Sequence, residues 1–131
     1  MSTSTLSDTV TRDIRVVVKP QYEADHSNPE GLRYVFSYHV TISNEGDRQV
    51  QLVKRHWIII NGDGDKQEVY GPGVVGFTPT LAPGEEFSYS SYCPLDTEFG
   101  TMEGTFQMID DGSEKFDVRI GRFYLAVNAD Q

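Results

Sequence analysis

The chain has 131 residues and a formal net charge of −9, with 11 Lys and Arg against 20 Asp and Glu. This length suits one domain with one core, and the acidic balance argues against a nucleic-acid backbone or an acidic membrane surface as the partner. The 7 Phe, 7 Tyr and 1 Trp argue against a disordered chain, because each aromatic side chain buries a large area.

Period-two alternation of apolar and polar residues predicts β-strands along most of the chain. Strands are predicted over 14–19, 32–43, 50–60, 66–70, 87–92, 105–109 and 116–127. The clearest of them places six apolar side chains on one face: Leu32, Tyr34, Phe36, Tyr38, Val40 and Ile42. In the last strand the apolar phase flips at Gly121-Arg122, which indicates a β-bulge at Gly121.

The pattern predicts an all-β fold, because no helical period of useful length is present and turn residues recur at near-regular spacing. About seven short strands are typical of an antiparallel β-sandwich with immunoglobulin-like or fibronectin type III-like architecture. Adjacent strand residues point to opposite faces, so Trp57 is expected in the core and His56 on the solvated face.

The ends of the chain and its single cysteine bear on location. Cys93 allows no internal disulfide, which suits a reducing compartment. The start of the chain lacks the pattern of a secretion signal, and no apolar run approaches the ~20 residues of a membrane helix. We expect a cytoplasmic protein with a flexible N-terminal segment over 1–10, one domain over 11–127 and a tail over 128–131.

The string GPGVVG at 71–76 matches the GxGxxG pattern of dinucleotide-binding folds. In those folds a helix follows the glycines, and its N-terminus binds the pyrophosphate. Here Pro79 and Pro83 are spaced so that one of them would fall inside such a helix, at a cost of about 3 kcal/mol. We therefore predict extended backbone after the glycines, which then serve a tight loop or a bulged strand.

The alternative for this string is a nest of backbone N–H groups that holds a phosphate without a helix. The candidate ligand-binding residues are then Gly71, Gly73, Gly76, Lys66 and Arg55. Pro72 removes one backbone donor from this loop.

Side chains suited to catalysis or metal binding are scattered along the chain. The three histidines lack the close spacing of a zinc site, and the paired aspartates fall in predicted turns, where Asp makes local hydrogen bonds. No serine or cysteine lies in a recognisable nucleophile motif. The sequence therefore predicts no catalytic residue, no metal site and no resident cofactor.

Seven short strings, taken together in order and spacing, resemble the ApaG family over about residues 16–127. They are RHW at 55–57, EV at 68–69, GPGVVG at 71–76, LAPG at 81–84, FSY at 87–89, PL at 94–95 and GTMEG at 100–104. The chain departs from the family pattern at Pro72 and Phe77, where polar or charged residues are usual.

The resemblance implies a fibronectin type III-like sandwich and a link to cobalt tolerance and magnesium efflux. Related domains in eukaryotic proteins look like protein-binding modules, and the glycine motif has suggested a pyrophosphate-binding role. We expect a non-enzymatic domain that binds an unidentified protein, with the exposed aromatics Tyr70 and Phe77 as anchors. The second hypothesis is a module that binds a nucleotide polyphosphate or pyrophosphate at 71–76, with a divalent cation as a further ligand. The oligomeric state stays open.

Overall fold

A computed structural model describes residues 6–128, which form nine β-strands and two short 3-10 turns. The strands, numbered in chain order, are β1 Ser7–Thr11, β2 Ile14–Tyr22, β3 Tyr34–Asn44, β4 Val50–Asn61, β5 Lys66–Pro72, β6 Thr80–Leu81, β7 Glu86–Leu95, β8 Phe99–Asp110 and β9 Lys115–Ala126. The 3-10 turns cover Ala24–His26 and Pro29–Gly31. Over this range, no helix is long and apolar enough to cross a membrane.

All the strand pairs are antiparallel, and the strands form two sheets. One sheet has the order β1-β2-β3-β7, and the other has the order β5-β4-β8-β9 with β6 also paired to β4. The predicted antiparallel β-sandwich is confirmed, with nine strands in the described range instead of about seven. The additional strands are β1 and the two-residue β6. A closer likeness to fibronectin type III or immunoglobulin domains stays a prediction.

An aromatic cluster packs the two sheets against each other. Trp57 of β4 is 3% exposed, and its ring contacts that of Tyr38 of β3 edge-on, with the centroids 5.3 Å apart. Phe106 and Phe123 contact the same indole with centroids at 6.3 and 5.8 Å. Such edge-on contacts add to the stabilisation that comes from burying the apolar surface. Trp57 therefore lies in the core as predicted.

The predicted apolar stripe of β3 is buried over its whole length except at the first position. Leu32 is 63% exposed, has a φ of 55° and lies before the strand. The reason is a closed turn in which the backbone N–H groups of Asn28 and Arg33 each donate to the other residue's carbonyl. This turn places Leu32 in the left-handed region and delays the strand until Tyr34.

Strand β1 lies within the segment 1–10, for which the sequence predicted flexibility and no strand. Residues 7–10 pair in register with β2, for example Thr9 opposite Val16. The Thr11 hydroxyl also accepts a hydrogen bond from the backbone N–H of Arg119 in β9 at 3.1 Å. Period-two reasoning missed β1 because its side chains are mostly polar, and its pairing partners are set by tertiary structure. Residues 1–5 and 129–131 lie outside the described range.

The predicted bulge at Gly121 is confirmed, because Gly121 and Arg122 of β9 together lie opposite Glu103 of β8. A Cβ atom on Gly121 would lie 2.2 Å from Oγ1 of Thr9, so only glycine lets β1 approach this closely. Contact between β1 and β9 closes one edge of the sandwich. At the opposite edge, β7 and β5 end their sheets, and no described strand bridges them.

The turn between β8 and β9 is organised by the Asp110 carboxylate, whose side chain is only 2% exposed. One of its oxygens accepts hydrogen bonds from the backbone N–H groups of Gly112 at 2.8 Å and Glu114 at 2.9 Å. The bond from Glu114 contributes most to holding the pKa of Asp110 below its ordinary value, with help from Gly112 and the charge of Arg48 and against the effect of burial. Asp110 therefore makes the local hydrogen bonds expected of a turn aspartate.

We expect Asp110→Asn to lower the melting temperature (Tm) at pH 7, because the amide keeps an acceptor oxygen but loses the charge. A carboxyl whose pKa is lowered by folding stabilises the fold above its unfolded pKa of about 3.9, and this contribution is lost as the pH falls through the folded value. The Tm difference from the parent should therefore stay constant from pH 7 to about pH 5 and shrink below about pH 4. Thermal melts across this pH range measure it.

The matched control is Asp111→Asn in the same turn. The Asp111 carboxylate is 49% exposed and makes an ion pair with Arg48, so its loss should change Tm little. Equal Tm changes for the two variants at every pH would contradict the role given to Asp110.

Candidate functional site

The glycine string interrupts one edge strand. β5 and β6 both pair with β4, β5 along residues 54–60 and β6 at Val50 and Gln51. Between these two stretches β4 bulges at Val53, whose carbonyl accepts a hydrogen bond from the N–H of Gly73 at 3.0 Å. The segment after Gly73 separates from β4 at this point. It pairs with β4 again where the Leu52 N–H donates to the carbonyl of Pro79 at 3.0 Å.

The excursion between these points is a two-residue turn closed by Val74 and Phe77. The backbone N–H of each residue donates to the carbonyl of the other at 2.8 Å. The central residues Val75 and Gly76 have φ values of 42° and 88°, and positive φ at both positions is what a type I′ turn requires. Valine is strained in this region, at a cost of about 1–2 kcal/mol. The backbone after Gly76 is not helical, as the prolines predicted.

The hydrogen bonds of this segment direct several backbone donors toward the protein itself. The N–H groups of Gly73, Val74 and Phe77 donate to carbonyl oxygens, and Pro72 has no N–H to offer. Gly73, with a φ of 59°, is required by packing, since a Cβ atom there would lie 2.2 Å from the carbonyl oxygen of Phe77. The arrangement resembles a folded turn more than a cradle of convergent donors.

Arg55 ties this segment to β4. Its Nη1 atom donates to the carbonyl oxygens of Pro72 and Gly73, both at 3.0 Å. The guanidinium lies over Gly71, where a Cβ atom would come within 2.8 Å of Nη2. A side chain at position 71 would therefore have to displace the guanidinium. Among the candidate ligand-binding residues, the structure brings together Arg55, Gly71 and Gly73.

Lys66 does not join this group. It pairs with Ile60 at the far end of β5, whereas Gly71 pairs with Arg55. Gly71 follows Lys66 by five positions along the strand, which is about 16 Å at the usual rise per residue. The Lys66 ammonium instead lies 3.9 Å from the Glu68 carboxylate.

Tyr70 lies on the outer face of the sheet, beside the glycine segment. Its ring stacks on that of His56 with centroids 4.2 Å apart, and Nε2 of His56 lies 2.9 Å from Oε1 of Glu68. This contact with His56 is the main cause of a lowered pKa at Glu68. Tyr70 is 69% exposed, so one face of its ring is open to a partner.

Phe77 lies at the end of the two-residue turn and is 59% exposed. Its ring contacts that of Phe87 at the start of β7, with the centroids 5.9 Å apart. Val75, at the tip, is 49% exposed. The turn thus presents two apolar side chains to solvent on a backbone fixed by hydrogen bonds.

A cavity of about 280 Å³ opens between the sheets at the edge formed by β5 and β7. Arg55 lines it together with Trp57, two residues further along β4 and on the same face of the strand, and Arg55 also borders a hollow beside His56 and Tyr70. Tyr38 and Ser91 lie opposite each other in the β3–β7 register and line the same space. A second cavity of about 530 Å³ continues from it along the edge to Lys66. Sequence reasoning missed this site, although the spacing of two between Arg55 and Trp57 signals a shared face.

Burial favours the neutral forms of three titratable side chains at this edge, Tyr38, Tyr89 and Cys93. Burial raises the pKa of the Tyr38 phenol, an effect that a hydrogen bond with Ser91 reduces. Burial also raises the pKa of Tyr89, whose hydroxyl is buried without a hydrogen-bond partner in residues 6–128, and raises that of the Cys93 thiol to about 11. None of these groups is activated as a nucleophile. The described residues contain no group of three or more His, Cys, Asp or Glu side chains that could hold a metal ion.

We expect Gly73→Ala to destabilise the protein by about 3 kcal/mol or more, which corresponds to a Tm loss of about 10 °C. The added Cβ atom would have to displace the Phe77 carbonyl and open the turn. The control is Gly76→Ala, which also has a positive φ but no atom within 4 Å of the new Cβ, and should cost only about 1 kcal/mol. Thermal or urea melts compare the two, and equal losses would contradict the packing role of Gly73.

Comparison with known proteins gives consistent matches over nearly the whole chain. Residues 24–110 match the family model of the ApaG domain. The chain is 52% identical to Protein ApaG of Rhodospirillum centenum and 51% identical to that of Allorhizobium ampelinum, each over 116 residues that cover 88% of this chain and 89% of the relative. A crystal structure described as an ApaA protein from Bordetella pertussis matches with a TM-score of 0.87 and 45% identity, covering 92% of this chain and 98% of that one. On fold, family model and sequence identity, this chain belongs to the ApaG family.

Proposed function

We propose that this protein is a non-enzymatic binding domain that contacts a protein partner through the two-residue turn at 74–77. The observation that supports this most directly is the exposure of Phe77 and Val75 on a backbone held by two hydrogen bonds and by the Arg55 contacts. Exposed aromatic side chains on a rigid support lose little conformational entropy on binding, which favours them as anchors. Tyr70, stacked on His56, supplies a second aromatic surface next to the same segment.

A phosphate ligand at the glycine segment is the alternative, and the geometry supports it less. Several of its backbone donors are used by protein carbonyls, and Lys66 lies too far along β5 to contribute charge. Of the two candidate cations, Arg55 and Lys66, Arg55 lies at the segment, and its Nη1 is occupied by two carbonyls. A nucleotide polyphosphate or pyrophosphate would have to compete with this internal network.

The link to cobalt tolerance and magnesium efflux, which rests on family resemblance, fits an indirect role. The described residues offer no cluster of ligands for a divalent cation. We therefore propose that any effect on cation handling passes through the bound partner.

Titration of isotope-labelled protein with pyrophosphate and diadenosine tetraphosphate, with and without Mg²⁺ and Co²⁺, separates the two functions. We expect the amide resonances of Gly71, Gly73 and Gly76 to stay in place at millimolar ligand, because their surroundings are set by protein contacts. A saturable shift of these three resonances that is lost in Arg55→Gln would instead favour the phosphate ligand.

The protein-binding function is tested by Phe77→Ser in affinity capture from a bacterial extract, with quantification of each recovered protein. We expect a specific partner to bind the parent and to be lost from this variant by about tenfold or more, as for a central aromatic anchor. The control is Tyr124→Ser, which removes an aromatic side chain of similar exposure from β9, far from the turn in sequence. Equal recovery of every protein by Phe77→Ser and the control would rule out this turn as the contact surface.

A further inference from the structure

The cavity beside Arg55 combines a positive charge with an absence of acidic neighbours. The chain carries 20 Asp and Glu residues, yet none of the described residues that line this cavity is acidic. Arg55 is half-buried and forms no ion pair with any carboxylate in residues 6–128. Its Nη1 atom bonds two neutral carbonyl oxygens, which leave its charge uncompensated. Arginine at a partly buried position usually has an anionic partner, because the charge is costly to desolvate alone.

The other polar groups of the cavity are hydrogen-bond donors or neutral. The Tyr38 phenol and the Ser91 hydroxyl lie side by side in the strand register, and the Gln67 amide lines the same space from β5. The Tyr89 hydroxyl, two positions before Ser91 on β7, is buried without a hydrogen-bond partner among the described residues. The Tyr89 hydroxyl therefore offers hydrogen-bonding capacity that residues 6–128 do not use.

The remaining walls are apolar, and the space is small. Trp57 contributes aromatic surface, and Ile59, Val69 and Met102 line the same space. A volume of about 280 Å³ lies near the lower limit of the roughly 300–1,000 Å³ typical of ligand pockets. This volume alone is too small for a nucleotide, whereas a carboxylate on a short apolar group fits it in size and charge.

We propose that this cavity binds a small organic carboxylate, which pairs with the Arg55 guanidinium, accepts a hydrogen bond from the Tyr38 hydroxyl and packs its apolar part against Trp57. Planar guanidinium and carboxylate groups match in geometry, which makes such pairs strong when solvent is partly excluded. The site differs from the turn at 74–77, so this inference goes beyond the proposed protein contact and does not depend on it.

Two kinds of ligand carry a carboxylate that fits this edge. One is a free carboxylic acid, and the other is the C-terminal carboxylate of an extended peptide. The second cavity of about 530 Å³ shares Ile59, Gln67 and Pro94 with the first, so the space continues along the edge past the carboxylate position. A peptide chain would use this continuation, and a free acid would not.

The test is a titration of the full chain, followed through the indole N–H resonance of Trp57, the one tryptophan of the sequence. The probes are 3-methylbutanoate and its amide, which have the same shape and differ in charge. We expect saturable shifts with the acid and at least about tenfold weaker binding of the amide, since a hydrogen bond to a charged group contributes more than one to a neutral group.

Two variants identify the groups involved. Tyr38→Phe removes one hydroxyl and should raise the dissociation constant (Kd) about fivefold, while Tyr34→Phe, a buried tyrosine of the same strand that does not line the cavity, should leave it unchanged. Arg55→Gln should abolish binding. Because this last change also loosens the glycine segment, Tyr38→Phe decides the question if Arg55→Gln does not fold.

An acetylated tripeptide ending in valine, with its C terminus free or amidated, distinguishes the sources. Tighter binding of the free-terminus peptide than of 3-methylbutanoate points to a chain terminus, and tighter binding of the acid points to a free carboxylate. Equal affinity for acid and amide, an unchanged Kd in Tyr38→Phe, or no shift of the Trp57 resonance with either acid or peptide would overturn the proposal.

Discussion

The burial of one indole determines which way the side chains of β4 point. Trp57 fills the space between the sheets against three aromatic rings, and side chains alternate along a strand. Arg55, two residues earlier, is therefore directed inward as well, and His56 outward. An inward arginine is tolerable because it lies at the edge between β5 and β7, where no strand of residues 6–128 bridges the two sheets. The packing of Trp57 in the core thus places Arg55 at the edge where the candidate sites lie.

The Arg55 guanidinium connects two neighbouring regions of the molecule. On one side it fastens the carbonyls of Pro72 and Gly73, which fixes the base of the protruding turn. On the other it gives the inter-sheet cavity a positive charge in a protein whose net charge is −9. The glycine string therefore has a structural explanation in this fold: Gly71 admits the arginine, and Gly73 admits the carbonyl of Phe77. In this motif, which looks like a nucleotide fingerprint, one glycine leaves room for a side chain and another for a backbone carbonyl.

Local patterns in the sequence predicted most of the fold, because they report directly on burial and backbone conformation. The apolar stripe of β3 indicates one buried face. The phase flip at Gly121 indicates a bulge, and the proline spacing after the glycines indicates backbone that is not helical. The candidate site was less predictable, since it depends on which strands meet. The bulge at Val53 that receives the Gly73 N–H exists only in the paired sheet, and Lys66 is close to Gly71 in sequence but not in space.

The seam between β1 and β9 has a consequence for synthesis of the chain. It joins Thr11 to Arg119, positions 108 residues apart, and fits Thr9 against the bare backbone of Gly121. Bringing together strands so far apart in sequence costs chain entropy. The contacts that offset this cost form only when both strands are present. On the ribosome, the sandwich can therefore close only after its last strand has left the exit tunnel. Until then the inner faces of both sheets are exposed to chaperones or to neighbouring nascent chains.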